Sequence, residues 1–397
     1  MAQETLTMLV VVFLVAVTAP FMVDRLRAWV AVPSVVVEIL LGILVGPQVL
    51  DLVSDTDVIA VLADLGLAFL MFLAGYEIEF ARVRGDPLRR AGWGWTASLV
   101  IGLAVGLMVA GGTTGLVIGL ALTTTALGMI VPIVRDSGAA ATPFGDRVLA
   151  VGTVGEFGPI IAIAFVLSGE RPRHTIAVLA LFAALALAGA WLARQPRHPR
   201  LGRVVTTTLG TSAQVAVRLC VLVVITMFAL AEWLGLDPVL GAFTAGILVH
   251  LSLESSDPVE TEIVHGRLEG IGYGFLIPIF FVVSGVRLDV ESLASDVWAL
   301  ATVPLFLVLF LVVRGIPTFL LHRGVLALRD NVALAALAAT ALPLVVIITT
   351  VGVDTGVLEP ERAAALAAAG ILSVLVFPIC AARFRGHTPS PTQAEQA

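Results

Sequence analysis

Two stretches of the sequence decide the fold: ALTTTALGMIVPIV at residues 121–134 and ALAATALPLVVIIT at residues 336–349. The internal alignment that pairs Ala121 with Ala336 gives five identities among the first seven positions. In each stretch a Thr is followed within three positions by Gly128 or Pro343, where helical hydrogen bonding is easily interrupted. An interruption inside a membrane leaves half-helix ends that bind ions. The two stretches therefore predict a pair of interrupted transmembrane helices.

The internal similarity continues on both sides of these stretches. Three further matches pair a helix with the one seven crossings later: Arg147 and Gly155 with Arg362 and Gly370, GILV at 42–45 with 246–249, and FLAGYEIE at 72–79 with VVSGVRLD at 282–289. An odd number of crossings turns the second copy upside down, so the matches predict an inverted repeat of six plus six helices with a connecting helix. Any single match in apolar text can arise by chance, but these matches occur in order. Secondary transporters are commonly built in this way.

The composition excludes a soluble globular protein. Of the 397 residues, 59% are hydrophobic and 13% are charged, whereas soluble domains have about half and about a quarter. The mean hydropathy is +1.04. Apolar runs between charged, Pro-rich or Gly-rich breaks predict thirteen transmembrane helices of roughly 20 residues each. We therefore expect an all-α polytopic membrane protein.

The same breaks divide the chain. We expect one transmembrane transporter unit over residues 1–385, with repeat one at about 5–168, a connecting helix at about 174–193 and repeat two at about 206–382. Residues 386–397 are polar and contain Pro, which predicts a disordered cytoplasmic tail.

The arginines predict an orientation. All 23 cationic residues are Arg; with the N-terminus outside, 17 of them fall in inner loops or the tail and 4 in outer loops. Because positive loops are retained on the inner side of a membrane, the C-terminus is predicted to be cytoplasmic. The net charge of −6 leaves no basic stripe for a nucleic-acid partner.

Motifs of enzymes and of metal centres are missing from the sequence. It contains no phosphate-binding loop, nucleotide fingerprint or catalytic triad, so we predict neither an enzyme nor a cofactor. Cys220 and Cys380 lie in separate apolar runs and predict no disulfide. The His residues lie near predicted helix ends without the spacing of metal ligands, so no metal is expected beyond a transported monovalent cation.

Glu156 is an acid at the centre of a predicted helix, in VGTVGEFGPIIAI at 151–163. A carboxylate at mid-bilayer is costly and marks a functional site by default. Such a group can hold a proton in one step and a dehydrated cation in the next. Nearby glycines allow close helix approach, and Pro159 predicts a local break. The structural alternative is a protonated Glu156 that bonds to a neighbouring helix.

Arg314 and three threonines complete the predicted site. Arg314 lies too deep in its predicted helix for its side chain to reach water easily. Since Arg does not lose its proton, we interpret it as compensating either Glu156 or the negative ends of interrupted helices. Thr124, Thr125 and Thr340 are predicted ion ligands at the interruptions. Hydrogen bonding to their own backbone is the alternative.

Two more polar residues are candidates for a supporting role. Glu38 is a second buried acid, about one third of the way into the second predicted helix. For Glu38, ion handling, packing near the inner loop and a bond to a helix end all stay open. Thr123 precedes the predicted ion ligands. We expect both residues to support the site without contacting the ion.

Five segments, taken in order, resemble the bacterial monovalent cation/proton antiporters, the branch that contains sodium/proton exchangers and potassium-efflux antiporters. The segments are VPSVVVEILLGILVGP, LGLAFLMFLAGYEIEF, LTTTALGMIVPIVRD, LGLDPVLGAFTAGILV and IPIFFVVSGVRLD. The resemblance extends from about Leu6 to Arg383. The ordered set is specific, although no segment is specific by itself.

The resemblance implies a homodimer in the lipid of a bacterial plasma membrane, each protomer having a scaffold and a mobile core with two crossed discontinuous helices. It places Glu156 where the family carries its ion-binding Asp, and Arg314 where the family has a basic residue. The crossed helices would contain Thr124 to Gly128 and Thr340 to Pro343. This sequence departs from the family in having Gly155, not Asn, Gln or Asp, before the acid. We also expect no appended nucleotide-binding domain, which potassium-efflux members often have.

The sequence and the resemblance together lead to the hypothesis of a secondary transporter that exchanges Na⁺ or K⁺ for protons. Alternating access of the elevator type, electroneutral exchange and Glu156 as the shared proton and cation site are expected. One alternative is a Na⁺- or H⁺-coupled organic anion symporter, which would place cationic residues at the membrane midplane. Another is a channel-like or sensory membrane protein on the same scaffold, which would not need Glu156.

Overall fold

Every regular element in the described part of the structure is a helix. The structure is a computed structural model and describes residues 2–26, 33–78, 83–167, 172–194, 213–253, 257–288, 290–291 and 297–385. The predicted tail 386–397, the predicted beginning of repeat two near 206 and the loop arginines Arg27, Arg82, Arg171, Arg197, Arg200 and Arg203 lie outside these residues.

The described residues contain these α-helices in chain order: α1 (Ala2–Leu26), α2 (Ser34–Val45), α3 (Asp57–Tyr76), α4 (Asp86–Ala110), α5 (Gly112–Ala121), α6 (Leu127–Asp136), α7 (Pro143–Leu167), α8 (Pro172–Arg194), α9 (Val215–Trp233), α10 (Pro238–Leu253), α11 (Pro258–Ile271), α12 (Ile277–Val286), α13 (Val297–Phe310), α14 (Ile316–His322), α15 (Leu328–Ala338), α16 (Pro343–Asp354) and α17 (Pro360–Arg385). Two π-helical turns, Gly272–Leu276 and Leu311–Gly315, join α11 to α12 and α13 to α14.

The helices have the length and composition of membrane spans. Within the described residues, eight helical segments are long and apolar enough to cross a bilayer, and four shorter apolar helices accompany them. The chain is therefore a multi-pass membrane protein, and the predicted all-α class is confirmed. The number of thirteen crossings stays a prediction.

Both predicted interruptions are present, but one lies earlier than the sequence indicated. α5 ends at Ala121 and α6 begins at Leu127, so Gly128 lies inside α6 and does not interrupt it. The Thr123 and Thr124 hydroxyls donate to the carbonyls of Leu120 and Ala121, which satisfies the end of α5 before Gly128 is reached.

The second interruption lies where the sequence placed it. α15 ends at Ala338 and α16 begins at Pro343. Proline is favoured at the first helical position, because its missing N–H is not needed there and its φ is already helical. Pro343 therefore marks the beginning of the second half-helix.

The chain divides into two compact units. Unit 1 comprises residues 1–13, 55–78 and 167–283, and unit 2 comprises residues 14–54, 79–166 and 284–397. The candidate functional residues Glu38, Thr123, Thr124, Thr125, Glu156, Arg314 and Thr340 all belong to unit 2.

Each unit contains the same close contact between two helices. In unit 1, a Cβ atom at Gly75 of α3 would overlap the carbonyl oxygen of Phe243 in α10. In unit 2, a Cβ atom at Gly285 of α12 would overlap the carbonyl oxygen of Ile39 in α2. Only a glycine permits the two backbones to approach this closely.

The close contact between α3 and α10 predicts that a methyl group added at Gly75 lowers the stability of the protein. Gly75→Ala forces α3 away from α10, and overpacking of this kind costs about 1–3 kcal/mol. We expect a lower midpoint of thermal unfolding in detergent, measured by intrinsic fluorescence. Gly266→Ala in α11 is the control, because a Cβ atom there meets no neighbour within 4 Å. An equal fall in both midpoints would contradict this account of Gly75.

Two Asp-Pro-Val segments allow a matched test of buried charge. Asp237 caps α10 and Asp257 caps α11, each accepting a hydrogen bond from the Val N–H two residues later, at 2.9 and 2.8 Å. Asp237 is half-buried, whereas Asp257 is exposed. Burial raises the pKa of Asp237, and the hydrogen bond from Val239 only partly opposes this shift.

A raised pKa in the folded state means that the ionised Asp237 opposes folding above its ordinary titration range. Asp237→Asn keeps the accepting oxygen and removes the charge. We expect a higher unfolding midpoint than that of the native chain at pH 8, with the difference vanishing below about pH 3, where the Asp carboxyl is protonated in both the folded and the unfolded state. Asp257→Asn should give no such gain; a gain equal to that of Asp237→Asn would contradict the role of burial.

Candidate ion-binding site

Glu156 lies at the positive end of a half-helix. Its side chain, in the middle of α7, is fully buried. The Oε2 atom accepts a hydrogen bond from the backbone N–H of Leu127, the first residue of α6, at 3.2 Å. The N-terminus of a helix carries partial positive charge and exposed N–H groups, so it favours an anionic group. The sequence placed Glu156 at the centre of a helix; the interruption of α5 and α6 explains how its charge is stabilised there.

Arg314 lies at the negative end of the other half-helix. Arg314 belongs to the π-turn Leu311–Gly315, and its side chain is fully buried. Nη2 donates to the Val151 carbonyl at 2.7 Å and Nε donates to the Thr125 hydroxyl at 2.8 Å. That hydroxyl donates to the carbonyl of Ala338, the last residue of α15, at 2.6 Å. Of the two interpretations of Arg314, the geometry favours compensation of a helix end.

Backbone hydrogen bonds hold the two interruptions together. The N–H of Ala126 donates to the carbonyl of Thr340 at 2.8 Å, and the N–H of Thr125 donates to the carbonyl of Gly155 at 3.0 Å. The predicted local break at Pro159 is wrong, because α7 continues without interruption from Pro143 to Leu167. The ring of Pro159 instead removes the N–H that would normally bond to Gly155, and Thr125 takes that carbonyl.

The other predicted residues have different surroundings. Thr123 and Thr124 are buried and donate only to their own helix, as described above. Thr340 is fully buried, and its hydroxyl lies 3.5 Å from the Ala336 carbonyl, at the limit of a hydrogen bond. Glu38 is buried in α2, and none of the contacts described above that join Glu156, Arg314 and the interruptions involves it.

Sequence reasoning missed Ser373 in α17. Its hydroxyl accepts a hydrogen bond from the N–H of Ala341 at 2.9 Å and donates to the carbonyl of Gly370 at 2.6 Å. Ser373 therefore binds the second interruption as Glu156 binds the first. The internal alignment contained this signal, because it pairs α17 with α7, but a single Ser in an apolar helix gave no reason to select it.

A comparison with protein-family models identifies the family. The model described as "Sodium/hydrogen exchanger, transmembrane" matches residues 10–384. The chain belongs to the sodium/hydrogen exchanger family. This is a family of ion transporters and not of enzymes, and its members need no cofactor. The resemblance inferred from the sequence is confirmed.

The chain is also similar to curated relatives that carry antiporter names. YjbQ of Bacillus subtilis, which carries an Na⁺/H⁺ antiporter name, is 30% identical over 403 residues, covering 96% of this chain and 63% of its own length. The Na⁺/H⁺-K⁺ antiporter GerN of Bacillus cereus is 25% identical over 288 residues, covering 70% of this chain and 71% of GerN. The chain thus spans less than two thirds of the length of YjbQ.

The solved structure supports the fold of the exchanger. It is the sodium proton antiporter MjNhaP1 from Methanocaldococcus jannaschii, with a TM-score of 0.66, 14% identity and coverage of 95% of this chain and 96% of MjNhaP1. At this identity the match concerns the fold alone.

The Thr125 hydroxyl can be tested by an isosteric change. Thr125→Val leaves the Nε of Arg314 and the carbonyl of Ala338 buried without their shared partner, at a cost of about 1–3 kcal/mol for each group. We expect a lower unfolding midpoint, and a slower cation-driven proton flux in proteoliposomes because the guanidinium group of Arg314 would lose the hydroxyl that holds its Nε atom.

Thr123→Val is the control for this change, because the Thr123 hydroxyl bonds only to the carbonyl of Leu120 in its own segment. We expect its flux to stay within about twofold of the native chain. Equal losses in the two variants would show that Thr125 has no special role in holding Arg314.

Proposed function

We propose that the exchanger transports a monovalent cation, Na⁺ or K⁺, in exchange for protons, and that Glu156 binds either one. The observation that carries this proposal is a fully buried carboxylate hydrogen-bonded to the N-terminus of a half-helix, where an interrupted helix offers backbone groups to an ion. Family membership and the names of YjbQ and GerN support the same exchange.

Competition for one carboxylate would couple the two fluxes. Glu156 holds a proton or a partly dehydrated cation, and the segment that contains it crosses the membrane only when the charge is occupied. An ionised, unoccupied carboxylate would face a large desolvation cost in transit. Arg314 keeps its proton under all physiological conditions and therefore carries none. Because Glu156 is the single exchanging carboxylate and Arg314 stays charged throughout, one proton is exchanged for each cation. The proposed exchange is therefore electroneutral.

Thr125, Thr340 and Thr124 are the proposed oxygen ligands beside Glu156. Hydroxyl and carbonyl oxygens are the groups that replace water around an alkali cation. Thr125 and Thr340 stand in the two interruptions, which are joined by the hydrogen bond from Ala126 to the Thr340 carbonyl. Thr123 and Glu38 would support the site without contacting the ion.

The architecture that we propose is the predicted one: thirteen crossings, an inverted repeat and two crossed discontinuous helices. The paired contacts of Gly75 and Gly285 support the repeat, because the offsets that align these glycines and their partners are those of the sequence matches. The arginine distribution supports an outer N-terminus and a cytoplasmic C-terminus in the bacterial plasma membrane. Elevator-type alternating access in a homodimer completes the proposal, as the resemblance implies.

The test uses proteoliposomes that contain an internal pH dye and an imposed pH gradient. Pulses of Na⁺, K⁺, Li⁺ or choline are expected to collapse the gradient for one or more alkali cations but not for choline. Glu156→Gln should abolish this collapse, because an amide can release no proton and balances no cation charge. Circular dichroism and the unfolding midpoint establish that the variant is folded.

A second buried acid and the membrane voltage provide the controls. Glu38→Gln should retain the cation-driven flux, and clamping the voltage with valinomycin should leave the native rate unchanged. A flux that requires both acids, or that responds to voltage as for two protons per cation, would contradict electroneutral exchange at one carboxylate. A Glu156→Gln variant that still exchanges cations would overturn Glu156 as the site, and a native chain that responds to no alkali cation would favour an anion symporter or a sensor.

A further inference from the structure

Gly155, the residue before Glu156, has no room for any side chain. A Cβ atom on Gly155 would overlap the Nη2 atom of Arg314, and it would lie 2.5 Å from the hydroxyl oxygen and 2.6 Å from the Cβ atom of Thr125. Real Cβ atoms essentially never approach other atoms so closely. The guanidinium group therefore occupies the volume that a side chain at position 155 would fill.

The two hydrogen-bond partners of the guanidinium group, Val151 and Thr125, either belong to this part of α7 or are hydrogen-bonded to it. Nη2 of Arg314 donates to the Val151 carbonyl, one turn before Gly155, and Nε donates to the Thr125 hydroxyl. The Thr125 N–H is in turn fixed by the Gly155 carbonyl, which Pro159 leaves available. Gly155 thus affects the position of Arg314 in two ways. Its missing side chain leaves space for the guanidinium group, and its carbonyl holds Thr125, which accepts from Nε of Arg314.

Arg314 contacts α7 at the residue before Glu156, yet its guanidinium group bonds to other partners. Its Nη2 atom lies against the residue next to Glu156 but donates to Val151, and among the described residues its Nη1 atom has no hydrogen-bond partner. A buried guanidinium that loses its partners must find others, since an uncompensated buried charge is strongly destabilising. The carboxylate of Glu156 is the anionic group that α7 offers nearby.

We propose that Gly155 is a positioning residue that keeps Arg314 off the Glu156 carboxylate, so that the carboxylate can exchange a proton for a cation. This inference rests on the proposed exchange at Glu156 and adds the reason for a glycine before the acid. With a larger residue at position 155, the guanidinium would turn to Glu156 and compete with the transported cation.

The internal repeat supplies a matched control at Gly370. In the internal alignment, Gly370 in α17 corresponds to Gly155, and a Cβ atom there would lie 2.8 Å from the carbonyl oxygen of Ala341 in the second interruption. The other neighbours of that Cβ atom are the side chains of Val345 and Leu342, and none is charged. Gly370→Ala therefore disturbs an interruption without displacing a guanidinium group.

The experiment measures cation binding without transport. The unfolding midpoint in detergent is measured at increasing concentrations of Na⁺ or K⁺, which gives an apparent Kd. The measurement is made on the native chain, on Gly155→Ala and on Gly370→Ala. We expect Gly155→Ala to raise the Kd about tenfold and Gly370→Ala to leave it within about twofold. In proteoliposomes the two variants should differ in the same way. Gly155→Ala should raise the KM for the cation more than it lowers kcat, and Gly370→Ala should not.

A double variant tests whether the effect acts through Arg314. Lys has no Nη2 atom, so adding Gly155→Ala to Arg314→Lys should change the Kd by about twofold or less, measured against Arg314→Lys alone. If Gly155→Ala alone yields no folded protein, Arg314→Lys in the same chain should restore folded yield. A failure to restore it would overturn the inference.

The remaining outcomes separate this inference from the proposed function. An unchanged Kd in Gly155→Ala, or equal changes with and without Arg314→Lys, would overturn the positioning role of Gly155. A native chain whose midpoint responds to no alkali cation, or a Glu156→Gln variant that still binds and exchanges them, would overturn the proposed site itself.

Discussion

An acid and a base are buried in an apolar helical protein, and each lies at the helix end that can stabilise its charged form. Glu156 accepts a hydrogen bond from the first residue of α6, and Arg314 reaches the last residue of α15 through the Thr125 hydroxyl. Helix ends carry partial charges of about half an electron. Since neither lipid nor an apolar core can replace water around an ion, the interruptions are the condition for burying both charges.

The interruptions are themselves costly, because each exposes backbone groups that need partners away from water. Neighbouring helices supply these partners. Gly155 in α7 accepts from Thr125, the carbonyl of Thr340 accepts from Ala126, and Ser373 in α17 accepts from Ala341. Each bond joins segments that are far apart in sequence, so the site and the packing of unit 2 stabilise one another.

The sequence predicted the two interruptions and the burial of Glu156, because local signals reveal them: threonines before Pro343, and an acid in the centre of an apolar run. It did not predict which Thr would meet Arg314, since that depends on the rotation of the helix through the π-turn Leu311–Gly315, and a bulge of this kind has no clear sequence pattern. The misplaced break at Gly128 has a similar cause. The hydroxyls of the preceding threonines end α5 first, and hydrogen bonds of this kind are only one of several options for Thr in a membrane helix.

Aligned as in the proposed repeat, the two halves of the chain share residues at the interruptions but not the buried charged residues. In the internal alignment, Thr125 corresponds to Thr340 and Gly155 to Gly370, whereas Glu156 corresponds to Ile371. The first half thus contributes the buried acid Glu156, and the second half contributes the buried Arg314. A symmetric arrangement would bury two acids and two arginines, doubling the desolvation cost and adding a second titratable group. In the proposed repeat, the divergence of the halves therefore leaves one buried acid at the joined interruptions, as the proposed exchange of one proton for one cation requires.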